Sequence, residues 1–391
     1  MTAISLAVPD ATPVLDEVFL AELTRSLAAD AERYDRDGAF PHANLALLHR
    51  HGLLGLACER KAGGGGADLG EQRRVIGAVA KGEPSTALVL CMQYLYHRRL
   101  AANPNWPEAL KRRVIREAVE EGALINSLRV EPELGSPARG GLPQTVARRQ
   151  ADGWLLDGHK LYTTGIPGLT WLAVWARSDD PVPLVGTWLV HRDAPGIRVV
   201  ESWNHLGMRA TGSHEVIFEN VRLPLEHAVD VYPADRPPPL NAPAQADFNR
   251  STAVLLGALY DGVARAARDW LVQWLAERIP GSLGAPLSSL PRVQEAVGQI
   301  EGWLLANRLQ LDVLASQPLS SQEAGLIKVA VTENAVAVVE KALELTGNHG
   351  LSLDHPLQRH YRNVLCGRVH TPQRDSALVL AGRLAFETLQ G

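Results

Sequence analysis

The chain has 391 residues, 46% of them hydrophobic and 21% charged, and a formal net charge of −4. That is enough chain for two or three layers or domains around a sizeable core, and the near-neutral charge gives no electrostatic basis for a nucleic-acid or anionic-membrane partner. No apolar run reaches the roughly 18 residues a membrane span needs, the start Met1-Thr2-Ala3-Ile4 lacks a basic leader region, and Cys58, Cys91 and Cys366 are far apart with no CxxC, so a reduced, cytoplasmic protein without a metal site is expected.

The first domain is expected over residues 1–122 and helical. Val18, Leu20, Leu23, Leu27 and Ala28 share one helix face, and Leu45, Leu47, Leu48, Leu53 and Leu54 follow. Gly63-Gly64-Gly65-Gly66 interrupts this region. It reads as a flexible loop, since no strand and helix flank it as a phosphate cradle requires.

A β domain is expected over residues 123–233. Trp154-Leu155-Leu156 meets Asp157-Gly158, a hairpin signal, before His159-Lys160-Leu161-Tyr162. Trp171–Arg177, Gly186–His191 and Glu215–Phe218 are further strands. No long helical pattern separates them, so the sheet is expected to be antiparallel.

Residues 234–391 begin with the linker Arg236-Pro237-Pro238-Pro239-Leu240 and return to long helices. Leu256, Leu259, Tyr260, Val263, Ala267, Trp270 and Trp274 form one stripe; Ile327, Val331, Ala335, Val338 and Ala342 form another. Such stripes suit a helical bundle that also buries a face against other subunits.

Several motifs decorate this helix–sheet–helix order: Gly207–Pro224 (GMRATGSHEVIFENVRLP), Lys160–Gly165 (KLYTTG), Asn126–Ser136 (NSLRVEPELGS), Gly347-Asn348-His349-Gly350 and the run Tyr361-Arg362-Asn363. Together they resemble the acyl-CoA dehydrogenase superfamily of flavoenzymes, over residues from about 15 to the chain end. The resemblance implies an α+β fold: an N-terminal helical domain, a middle antiparallel β domain and a C-terminal four-helix bundle. It also implies a homotetramer.

By the same resemblance, Tyr162, Thr163 and Thr164 lie against the flavin ring, where an aromatic ring stacks and a hydroxyl donates. Ser127 and Ser136 belong to a first flavin segment. Gly347, Asn348, His349 and Gly350, with Arg278, match residues that hold the cofactor's pyrophosphate across a subunit boundary. Glu344 replaces the glutamine expected there. A carboxylate beside phosphates is repulsive, so FMN is expected over FAD.

In the dehydrogenases a glutamate removes the substrate's α-proton from one of two positions. These match Thr371 and Asn249, and neither side chain is a base. His370, next to Thr371, resembles the histidine of the flavin-dependent monooxygenases of this fold, those like dibenzothiophene monooxygenase. His97 and Asn249, with Thr371, are the candidate substrate pocket, although a surface or subunit-contact place suits His97 equally. Arg359-His360-Tyr361-Arg362 reads as a flavin-phosphate contact, a subunit contact or a solvated helix end.

The expected function is a two-component monooxygenase with His370 as its catalytic residue. Its partners would be O2, a small organic substrate and a separate flavin reductase. The alternatives are an acyl-CoA dehydrogenase with a displaced base and a non-catalytic binding subunit of this fold.

Overall fold

The computed structural model describes residues 14–134, 141–239 and 243–387. Six helices open the chain: α1 (Glu17–Ala28), α2 (Ala31–Asp37), α3 (His42–Arg50), α4 (Leu69–Gly82), α5 (Pro84–Ala102) and α6 (Glu108–Glu120). Local chemistry sets their limits. Asp68 and Glu71 form a reciprocal capping box at the start of α4. Glu83 caps α5, with Pro84 in its first turn, where the missing N–H costs nothing.

Eight strands follow: β1 (Leu124–Leu128), β2 (Val146–Arg149), β3 (Trp154–Lys160), β4 (Leu169–Ser178), β5 (Leu184–His191), β6 (Ile197–Val200), β7 (Glu215–Leu223) and β8 (Ala228–Pro233). They make one sheet in the order β6-β7-β3-β2-β4-β5-β8, with β1 also pairing β4. Helices return as α7 (Pro243–Glu277), α8 (Pro291–Ser316), α9 (Ser321–Thr346), α10 (Asn348–Leu351), α11 (Leu357–Leu365) and α12 (Arg374–Glu387). The α+β class and the helix–sheet–helix order are as the sequence implies.

Helix α7 is the centre of the packing, set against α4, α5, α8 and α9. Its expected stripe is inside: Leu259, Tyr260, Val263 and Ala267 are fully buried. So is most of the second stripe, Val331, Ala335, Val338 and Ala342 on α9. At about 1.5–3 kcal/mol for each large apolar side chain removed from water, these faces hold the bundle together, and the α7 face also ties it to α4 and α5 of the N-terminal helices.

Three local expectations are corrected. Asp157-Gly158 makes no hairpin: β3 runs through it, with a register irregularity against β7 between Leu156 and Gly158. Asp157 Oδ1 accepts from the Asn220 N–H at 2.8 Å, and Asn220 itself has φ 54°. A Cβ at Gly158 would lie 2.3 Å from Thr145 Oγ1, so this glycine serves a close approach at a bulge. The sheet is also not wholly antiparallel, because β1 and β2 both run parallel to β4. Finally, Gly63–Gly66 is no loose loop. Gly64, Gly65 and Gly66 donate to the carbonyls of Glu59, Gly55 and Cys58, and a Cβ at Gly64 would meet Cys58 at 2.4 Å.

Candidate active site

Helices from both ends of the chain and one sheet loop meet around Gly207–Ser213. The Met208 N–H donates to Asn363 Oδ1 at 2.8 Å. A Cβ on Gly207 would stand 2.2 Å from the Arg362 carbonyl, so only glycine lets this loop reach α11. Arg362 also grips Asp35 of α2 with two N–H groups, at 3.0 and 2.5 Å. Arg209 donates to the carbonyls of Asp35 and Arg36 in the last turn of α2, and to that of His205. His360 is buried, with its pKa pushed down to about 3 by desolvation. The Arg359–Arg362 run is therefore a domain junction and not a solvated helix end.

The Tyr162 segment leaves β3 beside that junction. Tyr162 takes φ 54°, a conformation that costs a non-glycine residue. Its ring is 55% exposed and meets Trp203 and His205 edge-on, at 6.4 and 5.9 Å. Thr163 is buried, and its Oγ1 has no hydrogen-bond partner among the described residues. Such a donor calls for an acceptor that the described residues do not supply. Thr164 Oγ1 lies 3.0 Å from Ser213 Oγ, which lies 2.8 Å from Thr211 Oγ1. Asn126 of β1 donates to the Thr164 carbonyl at 3.0 Å. Ser127, next to it, is half-buried on β1. Ser136 lies outside the described residues.

His370 follows α11 in a turn that α9 holds in place. Lys328, only 1% exposed, donates to the carbonyls of Gly367 and His370 at 2.7 and 2.6 Å. His370 Nδ1 is 2.5 Å from the Tyr260 hydroxyl, and its Nε2 has no partner among the described residues. Burial, then the nearby Lys328 charge, presses the His370 pKa down to about 4, so the ring is neutral near pH 7. Burial lowers Lys328 to about 8 and raises Tyr260 well above the usual phenol range. The Tyr260 phenol therefore keeps its proton and has no other acceptor among the described residues. It donates to Nδ1, which leaves the imidazole proton on Nε2.

Thr371 is exposed. Asn249, on α7, donates to Ser321 Oγ at 3.1 Å and accepts from Gln245 at 2.8 Å. His97 is 1% exposed, which removes the surface or subunit-contact place for it. Its Nε2 is 3.1 Å from Gln93 Nε2, while its Nδ1 has no partner among the described residues.

The other expected cofactor residues form a second cluster. Arg278 is exposed and its backbone N–H donates to Trp274 O. The Trp274 ring faces His349 at 5.4 Å. Gly347 has φ 55° with open space where a Cβ would be, whereas a Cβ on Gly350 would meet Thr346 Oγ1 at 2.2 Å. Gly347, Asn348 and His349 are exposed. Glu344 is paired with Lys341 Nζ at 2.6 Å. No hydrogen bond, ion pair or ring contact joins this cluster to Tyr162 or His370 among the described residues. Sequence reasoning missed Tyr260, Lys328, Thr211 and Ser213; the Met-Arg-Ala-Thr-Gly-Ser run contained the last two.

The buried histidines give a pH expectation. His97, His360 and His370 have folded pKa values of about 4, 3 and 4, below the ordinary 6.5. Below pH 6.5 the unfolded chain takes up protons that the folded chain refuses. Stability is therefore full above pH 6.5 and falls as pH drops towards 4, by about 1.4 kcal/mol per pH unit for each such histidine at the steepest. The melting temperature is expected to fall between pH 7 and pH 5, and less steeply in a His360→Asn variant. A melting temperature that is level across that range would refute this.

Comparison with known proteins agrees with this architecture. Residues 16–122, 129–221 and 254–374 match the acyl-CoA dehydrogenase N-terminal, middle and C-terminal domains. The chain is 34% identical over 363 residues to YdbM of Bacillus subtilis (strain 168), a protein provisionally named an acyl-CoA dehydrogenase, covering 91% of this chain and 92% of that one. It is 29% identical to L-evernosamine nitrososynthase of Micromonospora sp. (strain ATCC 39149 / NRRL 15099 / SCC 1413), over 90% of this chain and 85% of the relative. The solved structure of KijD3 with FMN and a dTDP-linked amino keto sugar superposes with a TM-score of 0.82 at 27% identity, covering 99% of this chain and 97% of that one.

Proposed function

The chain belongs to the acyl-CoA dehydrogenase family of flavin-dependent oxidoreductases, and from that premise we propose that it is the oxygenase half of a two-component monooxygenase. It takes reduced flavin from a separate reductase and, with O2, oxidises a small organic molecule. The observation that carries this reading is the end of the bundle. Thr371 and Asn249 hold no carboxylate, while the neighbouring His370 is a neutral imidazole oriented by Tyr260 and Lys328. A homotetramer working in the cytoplasm is part of the same proposal.

The residues at the sheet end fit a flavin ring. Tyr162 offers an exposed aromatic face, and Thr163 Oγ1 is a buried hydroxyl awaiting a partner. Thr164 stands ready through the Ser213–Thr211 hydroxyl row. Arg278 and the Gly347–Gly350 turn would meet the phosphate of a neighbouring subunit's cofactor. When bound and reduced, the flavin supplies the electron pair that activates O2. His370 contributes the proton chemistry: its Nε2–H donates to a developing oxygen anion, while Tyr260 fixes the tautomer from behind. Lys328 holds the turn by two backbone carbonyls, so the imidazole is placed before reaction.

The nitrososynthase relatives support oxygen chemistry on this fold. The name given to the 34% identical relative keeps a dehydrogenase with a displaced base as the second reading. Reduced FMN mixed with the protein and then with O2 tests the first. The protein should bind the reduced flavin and change the time course of its reoxidation. A time course identical to that of free flavin would defeat the proposal.

FMN is proposed over FAD, since Glu344 stands where phosphates would lie and Lys341 only neutralises it. The structure of KijD3 with FMN supports this choice. Apo-protein titrated with each reduced flavin should bind FMNH2 more tightly. Tighter FADH2 would show that Arg278 and Lys341 together accept a pyrophosphate.

A further inference from the structure

Arg129 stands just past the β1–β4 ladder, one residue beyond the pair Leu128↔Val174. Its guanidinium carbon lies 5.3 Å from the centroid of the Trp175 ring. Trp175 pairs with Thr187, and Thr187 with Asp230. This face of the sheet therefore carries Arg129, Trp175, Thr187 and Asp230 as a row across neighbouring strands. Helix α5 lies over it and brings Arg99, which donates to Asp230 Oδ2 at 2.7 Å.

Among the described residues, the charges around this row are matched except one. Lys160, with its Nζ 5.7 Å from the Trp175 centroid, is paired with Glu131 at 2.6 Å. Arg98 and Arg250 share Asp247 at 3.1 and 2.7 Å, and Arg250 also donates to the carbonyls of Leu314, Ala315 and Gln317 at the C-terminal end of α8. Asp230 is taken by Arg99. The Arg129 guanidinium makes no hydrogen bond or ion pair with any described residue, although the side chain is half-buried. Desolvation, then repulsion from Arg99, lowers its pKa to about 10, while Tyr232, Asp230 and Tyr96 act the other way. A cation over an aromatic ring offsets only part of the cost of withdrawing a charge from water. The planar fork also keeps its N–H edge free when its face covers Trp175, and that edge suits an oxyanion held by two donors.

We propose that Arg129 receives an anionic group, a carboxylate or a phosphate, of the substrate, in a subsite whose other polar members are Tyr96, Arg99 and Tyr232. The subsite lies on the strand that backs the flavin segment, because Asn126, three residues earlier, holds the Thr164 carbonyl. The proposal rests on the oxygenase reading only for naming the ligand as substrate. Its test needs no turnover, so the two can fail separately.

The flavin-loaded protein is titrated with inorganic pyrophosphate and, separately, with malonate at constant ionic strength, by calorimetry. At least one anion should bind saturably, and the one that binds distinguishes phosphate from carboxylate. Binding should weaken at least about tenfold in Arg129→Gln and stay unchanged in Arg292→Gln, an exposed arginine at the start of α8. Saturation by neither anion, or full binding by Arg129→Gln, overturns the proposal. The melting temperature of Arg129→Met without anion is the second readout. It should rise, because an unmatched charge has been replaced by an apolar chain. A lower value makes Arg129 a structural cation and overturns the proposal whatever the titrations show.

Discussion

Replacing His370 by alanine is expected to lower coupled oxidation by about 10²–10³-fold while leaving the protein folded and able to bind reduced flavin. The ring contributes one hydrogen bond to the fold, from Tyr260. The turn that carries it is held through backbone carbonyls by Lys328, which do not depend on the side chain. The loss should therefore appear in chemistry and not in stability. Two measurements suit it: product formed per reduced flavin with any small molecule the parent oxidises, and the reoxidation time course of bound reduced flavin.

Tyr260→Phe should show a smaller loss of about 10–100-fold, the usual cost of losing a partner that fixes a tautomer. It should also move the acid limb of the pH profile, since Nδ1 would lose its donor. The parent should keep its activity until pH approaches the low folded pKa of His370, about 4. A His370→Ala protein that consumes reduced flavin and forms product as the parent does would make His370 a packing residue.

Tyr260 shows how far the sequence could be read. It was legible as one member of an apolar stripe, and it is buried as the stripe requires. Its hydroxyl, however, meets a histidine 110 residues away, and spacing along one helix carries no information about such a pair. Lys328 is a similar case: it follows Ile327 of the second stripe, and only the fold shows its ammonium beneath the His370 turn. Periodicity fixes which face of a helix is buried, because burial pays locally at every turn. The parallel β1–β4 pairing escaped for the opposite reason, since it joins strands about forty residues apart with no crossover helix to announce it. Asp157-Gly158 misled because a bulge uses the same residues as a tight turn. The flavin segment was legible as a motif, but the hydroxyl row that supports Thr164 comes from a loop 49 residues on.

Acyl-CoA substrates are expected not to bleach the oxidised flavin of this protein at an enzymatic rate. Abstraction of an α-proton beside a thioester needs a positioned base, and a missing general base costs about 10²–10⁴-fold. Thr371 is exposed and uncharged, and both polar ends of the Asn249 amide are engaged, with Ser321 and Gln245. The nearest candidate replacement is His370. Its pKa near 4 makes it a much weaker base than the ordinary imidazole, and Tyr260 already occupies Nδ1. Its Nε2 carries the proton in the tautomer that Tyr260 enforces, so it can donate but cannot accept. Anaerobic mixing of the flavin-loaded protein with butyryl-CoA and with octanoyl-CoA, followed by flavin absorbance, decides the matter. Rapid bleaching by either thioester would require a carboxylate from elsewhere in the fold or from a partner subunit, and the dehydrogenase reading would then replace the oxygenase one.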